Sequence, residues 1–320
     1  IDTLCRHYRQ KGKNVLWIPG TDHAGIATQN VVEKTLAKEG LRRQDLGREK
    51  FIERVWQWRE EYGHRILSQI EALGCSVDWT RLRFTLDEGL SKAVRKVFVQ
   101  LYNEGFIYRG KYIINWCSRC HTALADDEVE HSDEKGHLWK IRYHIKNSDE
   151  SIVVATTRPE TTAICVHPED DRYASLVGKT ALVPVLNREI PIIADKYVDR
   201  EFGTGALKVT PCHDHNDWAL GKTHNLEFIQ VIDEDGIMKA EAGKYQGMTK
   251  QECRKSIVAD IEAMGDLLGV EDLNHSVGHC YRCHTVVEPH VSRQWFVATT
   301  KLAPRARQAI PADITLLPET

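Results

Sequence analysis

The chain has 320 residues, 42% of them hydrophobic and 28% charged, a balance that supports buried cores in more than one domain. Its formal net charge of -3 excludes the global basic field of a small nucleic-acid binder, so any RNA contact must come from local patches such as Arg42-Arg43 or Arg305-Ala306-Arg307. No apolar run approaches the ~18 residues of a membrane span and no signal peptide is visible, so the expectation is a cytoplasmic chain with no membrane partner.

The chain opens on Ile1, and its first residues read as the middle of a helix, so an internal piece of a longer protein is expected. Residues 26–39 read as a helix stopped by Gly40. From Arg48 to Leu73 a stronger helix is predicted, with Phe51, Val55, Trp58, Tyr62, Ile66, Ile70 and Leu73 on one stripe and Gly74 in the C-cap place; core packing is the expected role of its Trp and Tyr residues. Another helix runs from about Glu88 to Glu104, with Leu90, Val94, Val97 and Leu101 on one face. Up to about residue 147 the pattern is mainly helical. Short β-type runs follow at Ile152–Thr156, Ala181–Leu186, Ile190–Ile193 and Ala206–Thr210, separated by turn signals such as Gly203-Thr204-Gly205. A helix near 249–264 ends at Gly265. The domain boundaries expected from this are 1–147, a β-rich segment over 148–274, and a return at 275–320.

Nine cysteines, an odd number, include two CxxC pairs: Cys117 with Cys120, and Cys280 with Cys283. Four thiolates on two knuckles suit a closed, structural tetrahedral zinc site and a reducing compartment better than a disulfide framework. For that, the segment between the pairs must be an insertion whose ends lie close together. Two unrelated pairs, or one redox pair, are the alternatives.

Five motifs stand in order along the chain. Gly20-Thr21-Asp22-His23-Ala24-Gly25-Ile26-Ala27-Thr28-Gln29 is followed by Asn115-Trp116-Cys117 with Asp127-Glu128-Val129-Glu130. Next come Ala155-Thr156-Thr157-Arg158-Pro159-Glu160-Thr161 and Lys208-Val209-Thr210-Pro211-Cys212-His213-Asp214-His215-Asn216-Asp217, and finally Glu288-Pro289 with Gln294-Trp295-Phe296. In this order and over essentially the whole chain, the set resembles the valyl-tRNA synthetase family of class I aminoacyl-tRNA synthetases. The resemblance implies an α/β chain: part of a Rossmann-type catalytic domain with a zinc ribbon, and an inserted β-barrel-like editing domain. It implies a valine-tRNA ligase whose editing domain hydrolyses mischarged threonyl-tRNA(Val). The partner is the acceptor end of tRNA(Val), carrying threonine or valine, and a monomer is expected. No His-x-Gly-His and no Lys-Met-Ser-Lys-Ser occurs, so ATP and Mg2+ are expected to serve only the full-length enzyme, and this chain is not expected to activate valine. A non-catalytic tRNA-binding or structural fragment is the competing reading, and a zinc-ribbon scaffold with unrelated hydrolase activity a third.

Valine and threonine are nearly isosteric, and a hydrophobic pocket rejects the added hydroxyl only about a hundredfold, a magnitude taken from this same family. A second site must therefore select for the hydroxyl with hydrogen-bonding groups, which valine would leave unpaired. By resemblance, Asp217 binds the α-ammonium. Arg158, Thr161, Lys208, Thr210 and Asp214 line the pocket and position a water, and Thr156, Thr157 and His213 contact the substrate. His213 is either a general base or a structural histidine, and β-propensity alone explains one or two of the threonines. Asp22 resembles the residue that holds the amino group of valine in the synthetic site. One departure stands out. The family usually places two apolar residues and Gly-Asp after the residue matching Thr161, whereas here Thr162-Ala163-Ile164 follows directly, so about four residues of turn chemistry are absent. Either the gene has a deletion or the sequence omits residues.

Overall fold

Helical spacing of apolar residues builds most of the first hundred positions. In the computed structural model, which describes residues 1–158 and 163–315, these form α1 (Asp2–Gln10), α2 (Gly25–Lys38), α3 (Arg43–Ala72) and α4 (Glu88–Asn103), with two short parallel strands, β1 (Gly20–Thr21) and β2 (Arg83–Phe84). The chain divides into two compact units, Ile1–Gly110 with the segment from Trp295 onward, and Lys111–Gln294. Within the first unit α3 is broken at Gly47 (φ 73°), so its regular part starts at Arg48, the expected position. Val32 and Leu36 of α2 pack on Phe51, Val55 and Trp58 of α3. Tyr62, expected in the core with Trp58, is 36% exposed, and farther along the stripe Ile66 and Leu73 are 51% and 80% exposed, as are Val94 (65%) and Val97 (53%) on α4. Helical periodicity specifies a face and says nothing of what covers it.

The second correction concerns residues 107–147, where two long strands replace a mainly helical pattern. They are β3 (Ile107–Cys117) and β5 (Val129–Ile145), with β4 (Thr122–Leu124) between them. The polar run Glu130–Lys135 hid β5. It pairs antiparallel with β11 (Leu267–Cys280) over a long ribbon from Ile141↔Leu267 to Val129↔Cys280, whose outer half is exposed. An exposed ribbon shows little of the apolar alternation that marks a half-buried strand.

The remaining strands are β6 (Ser151–Thr156), β7 (Ala163–Val166), β8 (Thr180–Leu182), β9 (Glu189–Ala194) and β10 (Ala206–Val209), with α5 (His215–Thr223) and α6 (Lys250–Ala263); β12 (Glu288–Val297) and α7 (Ala303–Ala312) close the chain. One mixed sheet runs β10-β7-β9-β8-β5-β11, with β6 paired to β5 and lying beside β10, so the sheet nearly closes. Only the β7–β9 pair among these is parallel, and all four residues of β7 are buried, as befits a strand covered on both faces. Ile141, Tyr143, Ile152, Val154, Ile164, Ile190 and Ile192 fill the interior, and α6 lays Cys253, Ile257 and Ile261 against them at helical spacing. The second sheet has the order β12-β3-β4. Among the described residues no helix is long and apolar enough to cross a membrane.

The turn before β10 depends on Gly205 (φ 75°), where an added Cβ would lie 2.9 Å from the Arg200 carbonyl oxygen and 2.4 Å from the Arg172 guanidinium. Gly205→Ala should lower the unfolding free energy by about 2 kcal/mol in urea titration, since both backbone strain and a clash with main chain are added.

Candidate functional site

Strand alternation in β6 turns Ile152, Val154 and Thr156 inward, so a polar residue arrives at the end of an apolar row. The Thr156 hydroxyl accepts the Arg158 N–H (2.9 Å) and donates to the Arg158 carbonyl (2.7 Å), closing a tight turn that presents Thr157 and Arg158. Across from it, β10 ends at Val209 with Lys208 and Thr210 buried beside each other; the Lys208 ammonium donates to the Thr210 hydroxyl at 2.7 Å. Asp214 then caps α5, accepting the amides of Asn216 (2.8 Å) and Asp217 (3.1 Å). The first helical turn carries Asp217 back to β10, where its carboxylate accepts the Thr210 N–H at 2.6 Å. The Asp214-x-x-Asp217 spacing is an N-terminal helix signature that would have revealed α5 in the sequence.

Thr156, Thr157, Arg158, Lys208, His213, Asp214 and Asp217 line one cavity of about 580 Å³, and Thr210 packs beneath it against Lys208 and Asp217. Thr161 lies outside the described residues, as does its junction with Thr162. Burial pushes the Asp217 carboxyl up to about 6, against the opposing pull of Lys208. His213 is 2% exposed. Its Nε2 accepts the Val231 N–H at 3.1 Å and its Nδ1 lies 3.4 Å from the Pro289 carbonyl, so both ring nitrogens are engaged by main chain. That arrangement favours the structural role over the general base, because the lone pair a base needs faces an amide. Tyr197 and Phe202, both more than half exposed, also line the cavity and were not anticipated. A second cavity of about 620 Å³ shares Thr157 and Arg158 and is walled by the β5–β11 ribbon, Lys250, Arg254 and Glu288. Asp22 sits in the first unit, in a separate cavity of about 220 Å³ with Thr28, Gln29, Trp56 and Arg59, and accepts the Thr85 hydroxyl at 3.0 Å.

The four knuckle cysteines converge. Their sulfurs lie within 4.8 Å of one another, with Cys117, Cys120 and Cys280 buried. Thiolates about 2.3 Å from a tetrahedral zinc lie about 3.8 Å apart, so the group fits such an ion. Cys117 and Cys283 are 3.4 Å apart, too far for a disulfide. Cys117 ends β3, and Thr122 opposite it opens β4; Cys280 ends β11. His121 and His284, each directly after a knuckle, share the left-handed conformation (φ 52° and 59°), so the two turns are built alike. At Cys283 burial pushes the thiol up but is outweighed by hydrogen bonds with Thr285, Cys117 and Cys120, which hold it below the usual thiol range.

The sequence pattern that defines the class I tRNA synthetases (I, L, M and V) matches residues 1–320, and the chain belongs to that family. It is 72% identical to the valine–tRNA ligase of Nitratidesulfovibrio vulgaris (strain Hildenborough) over 100% of this chain and 37% of that protein. It is 57% identical to that of Thermotoga maritima (99% of this chain, 38% of the relative) and 55% to that of Fusobacterium nucleatum (99% and 36%). The chain thus spans little more than a third of the length of these relatives.

The raised Asp217 carboxyl ties stability to pH. Between its unfolded value near 3.8 and its folded value near 6 the folded state holds the extra proton, so its contribution is present at low pH and lost as pH rises through 6. Asp217→Asn, which cannot ionise, should therefore gain on the order of 2 kcal/mol relative to wild type between pH 4 and pH 7.5, read from denaturant midpoints at each pH.

Proposed function

We propose that this chain is a valine–tRNA ligase segment whose β-rich module, expected over 148–274 between synthetic-domain segments at 1–147 and 275–320, hydrolyses threonine from mischarged tRNA(Val). The observation that carries this is the buried Asp217 carboxylate in a cavity with Lys208 and Arg158 and with Thr210 beneath it. A carboxylate desolvated to this degree gains most from an ammonium partner, and the aminoacyl group brings one. Lys208, Thr210 and Arg158 add donors for the threonyl hydroxyl and the ester, and Thr157 and Asp214 complete the wall. In the reaction a positioned water attacks the ester carbonyl, the bond to the ribose oxygen breaks, and that oxygen takes the proton. Free threonine and tRNA result. Valine in the same cavity would leave the donors unpaired, which is the basis of selection. Asp22 is assigned to valine recognition in the synthetic site, where ATP and Mg2+ serve the whole enzyme. A cytoplasmic monomer is the matching cellular state.

Asp217→Ala should slow threonyl-tRNA(Val) deacylation by about 10- to 100-fold, the worth of a charged hydrogen bond. The ratio of wild-type to mutant rate should fall as pH drops below about 6, because a protonated carboxyl no longer pairs with the ammonium. A ratio that stays constant from pH 5 to 8 would remove Asp217 from the anchor role.

We assign zinc to the four cysteines as a structural ion that ties the two knuckles. Elemental analysis should find one zinc per chain, and Cys280→Ser should release it and lower Tm by roughly 5 °C. Zinc-free protein with all four cysteines reduced and an unchanged Tm would defeat the assignment.

A further inference from the structure

Glu288 opens β12 and is 6% exposed. One carboxylate oxygen lies 3.4 Å from the Arg158 guanidinium, and the other is bonded to the Lys250 ammonium. Three separate elements thus meet at one buried charge. Lys250 is fixed at the first position of α6 by a capping box, in which Thr249 and Glu252 bond each other's amides. Burial pushes the Glu288 carboxyl up, but Arg158 and Lys250 outweigh it and hold it below the usual carboxylate range, so it is ionised. The guanidinium of Arg158 also donates to the His213 carbonyl at 3.2 Å.

The placement is asymmetric. Arg158 lines both the outer cavity and the one that holds Asp217, whereas Glu288 and Lys250 line the outer one, and a small adjoining cavity with Cys253 and Arg254, but not the cavity that holds Asp217. The cluster carries two cations on one anion, and the member that opens onto the inner cavity is the cation. Buried ion clusters are poor sources of stability, since apolar residues of equal volume do as well or better. What such a cluster provides is a fixed direction for a long side chain. A guanidinium held in place before the substrate arrives stabilises charge developing on an ester oxygen without reorganisation.

We propose that Glu288 is a positioning residue for the deacylation: it aims Arg158 into the inner cavity, and Lys250 holds Glu288 against β6. This rests on the hydrolytic reading of that cavity. The test measures deacylation of threonyl-tRNA(Val) by wild type, Glu288→Gln, Glu288→Asp and Arg158→Ala, and by the Glu288→Gln/Arg158→Ala double variant. Glu288→Gln should lower kcat by about 10-fold with KM changed less than about 3-fold, and should add under about 2-fold once Arg158 is alanine. Glu288→Asp, which keeps the charge, should recover part of the loss, and it carries the comparison if the glutamine variant does not fold. Equal losses with and without Arg158, or no loss at all, overturn the proposal. A readout independent of activity accompanies these rates: mass-spectrometric labelling of Arg158 by phenylglyoxal should become several-fold faster in Glu288→Gln. Unchanged labelling overturns the proposal even where rates fall. Absence of deacylation by wild type, with labelling faster as expected, sinks the hydrolytic reading instead.

Discussion

The structure is organised around charge held out of water. Asp217, Glu288, Lys208 and the half-buried Arg158 stand near the ends of β6 and β10, each within reach of an opposite partner or a main-chain amide. An isolated ion in such a place costs several kcal/mol, so the fold must supply partners at fixed distances before it can carry these residues. That requirement explains the local devices around them. The Thr156 hydroxyl closes the turn ahead of Arg158, Asp214 starts the helix that returns Asp217 to Thr210, and main chain on two sides pins His213. Remove the partners and the desolvated Asp217 would stay protonated over a wider pH range.

The two knuckles solve a different difficulty. The β5–β11 ribbon carries Cys280 beyond the apolar core, and the β3–β4 hairpin brings Cys117 and Cys120 to meet it. The outer half of β5, which runs alongside, is exposed. A metal ion held by the four sulfurs would supply cohesion there. Glu288 stands only five positions after Cys283, so the same short stretch serves the knuckle and the wall of the outer cavity.

Much of this was legible in the sequence, for physical reasons that differ from place to place. The convergence of four cysteines was readable because CxxC spacing has few other uses in a chain without a redox-fold context. The strands β6 and β9 and the helix α6 showed their own periods. The cavity residues were found through ordered motifs, and the geometry gathers most of them around one space. What stayed hidden was set by tertiary context. The long strand β5 was masked by the charged run Glu130–Lys135, because an exposed ribbon needs no alternation. Ile66 and Val94 form regular apolar faces that the described residues leave uncovered. Glu288 could be quoted from the sequence only as a marker of the returning chain; its partner Arg158 lies far away in sequence, and no spacing rule links them.

The path of the chain through β3 and β12 bears on how the protein assembles. These neighbouring strands carry the chain out of the first unit and back into it. While the second unit is unfolded, the first must close a loop of roughly 180 residues to join its two parts, an entropic cost on the order of 4–5 kcal/mol. Pairing of β3 with β12 closes that loop, so the closure cost is met within the insertion's own fold. Folding of the insertion thus lowers the closure cost of the unit it interrupts, because it brings β3 and β12 together.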